Sequence, residues 1–239
     1  MEHKQWQAPA ILGIGIFLGL FVLGYFLADA AIKVKEYERT VSVKGLSERE
    51  VPADIVIWPI QFAVADNDLA NLYATMTKHT QTIKDYLIAA GIPEEEITIS
   101  PPAVTDKSAQ AYMESNPGQI RYSAMQTVTV YSSQVSRVRA QMAKVAEFGK
   151  SGIALTGNSQ GQVDEYLYSQ LNQIKPEMIQ EATTKAREVA QKFAEDSNSR
   201  LGKIKQATQG QFTIESRDTN NPHIKKVRVV STVEYYLSD

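Results

Sequence analysis

The hydrophobic pattern splits the chain into two regimes. Residues 8–27, APAILGIGIFLGLFVLGYFL, carry no charge and no polar stripe. A helix at a protein surface shows one apolar face, whereas a helix that is apolar all round and about 20 residues long has the length to cross a bilayer. The stretch predicts one transmembrane anchor behind a tail at 1–7. A cleaved signal peptide is the competing reading, since Ala28-Asp29-Ala30 has the small-x-small form of a cleavage site. A signal's apolar core is usually about 7–15 residues, which favours the anchor. Residues 28–39, ADAAIKVKEYER, read as a linker or as a helical extension of the anchor.

From residue 40 the period changes. TVSVKGL alternates as a strand, Gly45 suggests a bend or bulge, and a turn is expected around 48–52. DIVIWPIQFAVA follows as a second strand, with Val56, Trp58, Ile60, Phe62 and Val64 on the core face. Pro59 has no N–H for a ladder and implies an edge or bulge. Residues 66–90 switch to helical period, with Leu69, Leu72, Tyr73, Met76, Ile83, Leu87 and Ala90 as the stripe. Asp66, Asn67 or Asp68 is the N-cap and Gly91 the stop. A strand is expected at 95–100, a polar loop at 106–119, and an alternating strand at 120–131. A short helix ends at Gly149, and 153–163 and 165–171 read as two short strands or a strand and a loop. Pro176 fits the first turn of a helix that runs to Leu201, with Ile179, Ala182, Ala186, Val189, Phe193 and Ala194 on its buried face. Strands at 203–215 and 224–237 close the chain. Long hairpins mixed with packed helices predict an α+β domain, largely antiparallel, over 40–239. The strand–helix–strand unit recurs, so two subdomains divided near 133 are expected.

Composition narrows the function. The chain has 239 residues with 25 basic and 27 acidic side chains. Without residues 1–32 the balance is 24 against 25, a net of −1. No basic field is present to hold nucleic acid. There are no cysteines, which removes disulfides, thiolate catalysis and cysteine-based zinc sites.

Candidate chemistry is sparse. His3, His79 and His223 are scattered, with no metal-ligand spacing. Gly149-Lys150-Ser151-Gly152 resembles the end of a phosphate loop, but it follows a helix and enters a strand, the reverse of what amide groups at a helix start require. No GxSxG elbow occurs. Glu94-Glu95-Glu96 reads as a solvated strand entrance, and nothing brings Asp164 or Glu165 to it. No catalytic, cofactor-binding or metal-ligating residues are assigned, and no cofactor is expected. Two sets of residues point to self-association instead. Gly15 and Gly19 form a small-xxx-small pair that lets membrane helices approach closely. Tyr112, Tyr122, Tyr235 and Tyr236, near hairpins or strand ends, suit subunit contacts because tyrosine buries area and keeps a polar tip.

The soluble part resembles the SIMPL-domain family. The opening V-x-V-x-G is carried by Val41, Val43 and Gly45, and P-x-D with its apolar strand by Pro52, Asp54 and Ile55 to Ile57. Gly91, Ile92, Ile97 and Ser100 stand at the next landmark, with serine in place of threonine. Arg121-Tyr122 replaces a common Gly-Tyr. Ala182, Ala186, Ala190, Leu201 and Gly202 match the late alanine-spaced helix and its Leu-Gly exit. The resemblance spans about 40–237. It implies an α+β domain usually exported across the bacterial inner membrane, ring- or channel-like oligomers in some members, and a link to oxidative-stress resistance in others. It supplies no agreed catalytic residues.

Orientation draws on both lines. Lys33, Lys35 and Arg39 against Lys4 lean towards a cytoplasmic C-terminal domain. Acidic neighbours dilute that bias, and export as implied by the resemblance is preferred: a single-pass inner-membrane protein with a periplasmic domain. The expected function is a non-enzymatic, membrane-anchored envelope protein that assembles into a ring or cage, serving envelope or oxidative-stress defence. Its partners would be itself, the lipid bilayer and envelope proteins, with no nucleic acid. The alternatives are a periplasmic binding or chaperone-like module for envelope proteins or small ligands and, third, a hydrolase drawing on Asp54, Asp164, Glu165 or His79.

Overall fold

The computed structural model describes residues 7–37, 39–109, 120–156 and 163–238. Helix α1, Gln7–Tyr37, is longer than the anchor read from the sequence, and its apolar stretch Leu12–Lys33 is long enough to cross a membrane. Residues 28–37 are therefore a helical extension and not a linker loop. The elements that follow are β1 Thr40–Pro52, β2 Ile55–Asp66, α2 Leu69–Ala89, β3 Ile97–Ile99, β4 Ala103–Asp106 and β5 Tyr122–Ser132. Then come α3 Val135–Met142, α4 Ala146–Lys150, β6 Ala154–Leu155, β7 Glu165–Leu167, α5 Leu171–Asp196, β8 Arg200–Gln209, β9 Thr213–Ser216 and β10 Ile224–Ser238. The α+β class with antiparallel sheets is as expected.

The chain forms two compact units that interleave in sequence. One comprises Met1–Glu48, Ile174–Thr213 and Arg228–Asp239; the other comprises Arg49–Gln173 and Ile214–Val227. Position 133 lies inside the second unit, so the expected division there does not match the observed partition. The reason is strand pairing: β2 and β5, before that position, pair with each other and with β6 and β7 after it.

In the first unit, β10 lies between β1 and β8 and runs antiparallel to β8. Helix α5 packs its small residues on this sheet. Its buried stripe is Met178, Ala182, Ala186, Ala190 and Ala194, while Val189 and Phe193 are 39% and 56% exposed. The expected stripe was thus displaced to one side. Gly45 explains why: a Cβ there would overlap the Ala182 carbonyl oxygen and lie 2.6 Å from the Ala186 nitrogen. Backbone-to-backbone approach this close admits only small residues on the helix. Gly45 is therefore a contact point within a continuous β1, which has neither a bend there nor a turn at 48–52. Val43, Val233 and Tyr235 complete this core with Ala186 and Ala190. The helix also starts at Leu171, which places Pro176 inside it rather than in its first turn.

In the second unit, β5 and β2 form the centre of a sheet ordered β3-β5-β2-β6, with β4 beside β5 and β7 beside β2. The predicted core face of β2 is observed: Val56, Trp58, Ile60 and Phe62 are buried among Ile83, Leu87, Val128, Val130, Val138 and Phe148. Pro59 pairs with Thr129 on the β5 side, and on its other side falls between the β7 partners, Ile55 to Ile57, and the β6 partners, Phe62 and Ala63. A prolyl nitrogen is tolerated in such a gap. Asp68 caps α2, accepting from Asn71 N–H at 2.8 Å, and Gly91 ends the helix region at φ +84°. Leu69 and Tyr73, expected in the stripe of α2, are exposed. Residues 94–96 form a single 3-10 turn before β3.

Candidate functional site

The most unusual feature of the first unit is β8. Nine of its ten residues are exposed and only Leu201 is partly covered, so both faces of the strand meet solvent. It pairs with β10 alone, so its outer edge meets no other strand among the described residues. At about 3.3 Å per residue, ten residues give an open edge of about 33 Å. Ile204 is 50% exposed on this strand. A long edge strand presents a row of unpaired N–H and C=O groups, the usual template for adding a strand from another chain. Its charge is one-sided: Arg200, Lys203 and Lys205, with no acid. Lys205 donates to Glu234 at 3.2 Å and lies 5.9 Å from the Tyr236 ring centre.

The tyrosines singled out from the sequence separate by position. Tyr235 is 3% exposed in the core and is not offered to a partner. Tyr236, its neighbour on β10, is half-buried beside Lys205, because successive strand residues point to opposite faces. Tyr122 is half-buried at the start of β5, packed with Leu72, Met76 and Ala124. Arg121, where the resemblance expects glycine, stacks over the Tyr122 ring at 4.7 Å and pairs with Asp106 at 2.9 Å. That guanidinium, with Ser108, holds the Asp106 carboxyl far below the usual carboxylate range. Tyr112 lies outside the described residues. Gly15 and Gly19 are on α1, with no atom within 4 Å of an added Cβ, so they make no helix contact inside this chain.

The second unit holds the main grouping of titratable side chains. The Tyr166 and His223 rings stand edge-on, 6.1 Å apart, and the Tyr166 hydroxyl donates to Met142 Sδ at 3.4 Å. Asp164 and Arg139 are close to Tyr166, and the Lys225 Nζ donates to Ser216 Oγ at 3.0 Å. Burial pushes the Asp164 carboxyl and the Tyr166 hydroxyl up, and the His223 imidazole and Lys225 amine down. Each shift favours the neutral form. The His223 Nδ1 is buried without a hydrogen-bond partner. Within this grouping the Lys225 amine and the Ser216 hydroxyl stand within hydrogen-bond reach of each other, the pairing of base and nucleophile types that covalent catalysis uses.

Other sequence candidates are explained locally. Asp54 accepts from the Ser169 N–H and hydroxyl, each at 2.9 Å, and so ties down the segment after β7. His79 lies against Phe62 with its own Nδ1 unpartnered. Lys150 is in the last turn of α4, and Gly152 takes φ +79° just after it, which makes that glycine-lysine-serine-glycine run a helix exit. Among the described residues no group of three or more His, Asp or Glu side chains is arranged to hold a metal ion.

An α+β chain with an N-terminal apolar helix and an open basic sheet edge defines a broad class of domain. Its family is more specific: the sequence model for SIMPL, described as a protein of unknown function (DUF541), matches residues 41–234, and the chain belongs to that family. No curated protein matches the chain.

Proposed function

We propose that this chain is a non-enzymatic, membrane-anchored envelope protein that self-assembles into a ring or cage serving envelope or oxidative-stress defence. The observation that carries the reading is β8, a ten-residue edge strand exposed on both faces. Monomeric proteins usually shorten, cover or twist away such edges. The Leu12–Lys33 helix has no buried residue and supports an anchoring role; the side assigned to the domain, the periplasmic face of a bacterial inner membrane, rests on the family resemblance alone. Homo-oligomers favour closed symmetry, and anchors oriented alike in one membrane suit a ring about an axis normal to the bilayer. The test is the intact mass of the full chain in nanodiscs or mild detergent. A discrete multimer is expected; a monodisperse monomer overturns the proposal and favours a binding or chaperone-like module.

A further inference from the structure

The β2–β5 ladder of the second unit runs without a register shift through eleven residue pairs, from Val56 opposite Ser132 to Asp66 opposite Tyr122. Side chains alternate along a strand, and paired residues share a face of the sheet. One face carries Val56, Trp58, Ile60 and Phe62, and α2, α3 and α4 close it through Ile83, Val138 and Phe148. The other carries Ile57, Pro59 and Ala63 on β2, opposite Tyr131, Thr129 and Met125 on β5. The three helices that lie wholly within this unit all pack on the first face, so none of them covers the second. Tyr131 is 51% exposed there. Thr98 on β3, opposite Thr129, and Ala154 on β6, opposite Ala63, continue the face to either side and are exposed as well.

This second face lacks the charges that a sheet usually turns to water. Over its six strands it has one charged side chain, Glu165, opposite Ile57 at the β7 margin. A contiguous uncharged surface marks a contact site, and depletion of charge is what distinguishes the core of an interface. The same lack of charge gives an acidic or basic partner nothing to pair with. It suits an identical face, because two such surfaces meet without stripping water from an ion. The size also fits. Eleven residues at about 3.3 Å and four strands at about 4.8 Å give a face of about 36 Å by 19 Å. That is about 700 Å² a side, close to the roughly 800 Å² per partner of a stable interface.

We infer that this face packs on the same face of a second copy about a two-fold axis, with the Pro59–Thr129 pair at the centre. This rests on the self-assembly proposed above and names a contact for it. The two sheets lie about 10 Å apart with strand directions within about 30°, as in sheet-on-sheet cores. A two-fold axis normal to the bilayer keeps both anchors in one membrane.

Two variants of the full chain in nanodiscs or mild detergent test it. Thr129→Lys/Tyr131→Lys brings four lysines together at the axis. It is expected to lower the particle mass, with a dissociation constant raised about a hundredfold or more, and circular dichroism checks its folding. The chain has no cysteine of its own. Thr129→Cys is therefore expected to give a covalent dimer with a short bis-maleimide, whereas Ala74→Cys, exposed on α2, is not. Should the lysine variant fail to fold, the cysteine pair decides. Wild-type mass in the folded lysine variant overturns the inference and leaves self-assembly standing. So does a Thr129→Cys chain that cross-links no faster than Ala74→Cys. A wild-type chain that is itself monomeric overturns both.

Discussion

At the residue scale, His79 and His223 are half-buried side chains whose surroundings favour the neutral form. Each has an Nδ1 that is buried and unpartnered. Burial lowers the pKa of His79, with help from Lys78, and that of His223, with help from Arg139 and Arg217 against the opposing pull of Asp218. The sign follows from linkage. The unfolded chain takes up protons near the ordinary histidine value of 6.5, and the folded chain resists them until lower pH. Stability is therefore full above that value and falls as pH drops below it. The melting temperature should decline between about pH 7 and 5, ahead of the acidic loss from carboxylates such as Glu234, whose pKa is lowered by Thr40 and Lys205. Thermal melts of wild type and of His79→Leu/His223→Leu check this: the double variant should lose most of that decline. An unchanged slope would place its origin elsewhere. The sequence showed that these histidines were isolated, but it could not show that their nitrogens were buried, because that depends on the Phe62 and Tyr166 rings packed beside them.

At the element scale, α5 lies against β1 at a distance set by Gly45. Adding one methyl there drives a Cβ into the Ala182 carbonyl and close to the Ala186 nitrogen, both backbone atoms that cannot rotate away. Gly45→Ala should destabilise the domain by about 3 kcal/mol, at the upper end for overpacked cores. Gly149→Ala, on α4 with open space around its Cβ, should stay within about 1 kcal/mol of wild type. Urea titrations of the two variants decide it, and equal midpoints would mean that the helix can shift outward at little cost. The same packing shows what the sequence made legible. Strands β2, β5 and β10, the first half of β1 and most of helix α2 were readable from period and caps, because each buries one regular face. The buried face of α5 was misread because large apolar residues, Val189 and Phe193, drew the stripe towards themselves. The sheet accepts only the alanines next to Gly45. Short pieces such as β4 and β6 carry too few residues to show a period, and the long exposure of β8 follows from its position at the end of a sheet order that no local pattern encodes.

At the scale of the whole molecule, the chain joins an α+β domain to a helix whose long apolar stretch is unburied. The Leu12–Lys33 stretch has no buried residue, and its glycines touch nothing. Its 22 residues extend about 33 Å as a helix, close to the roughly 30 Å thickness of a hydrocarbon core. Arg39 is tied to the domain: its carbonyl accepts from the Leu237 N–H at 2.9 Å and its guanidinium donates to Ser199 Oγ at 3.1 Å. A chain beginning at Arg39 should therefore be soluble and melt within a degree or two of the full chain in detergent, since about 1 kcal/mol would shift the midpoint by only about 2–4 °C in a domain of this size. The full chain should stay with membranes after an alkaline carbonate wash, and the shortened one should be released. In the full chain, Gly15→Leu/Gly19→Leu should leave the melt unchanged, because no neighbour within the chain is displaced. A loss of particle mass in that variant would then measure helix-to-helix contact in the bilayer alone. A lower melt for the shortened chain would instead make the helix part of the domain's core, against the lack of any buried residue in the Leu12–Lys33 span.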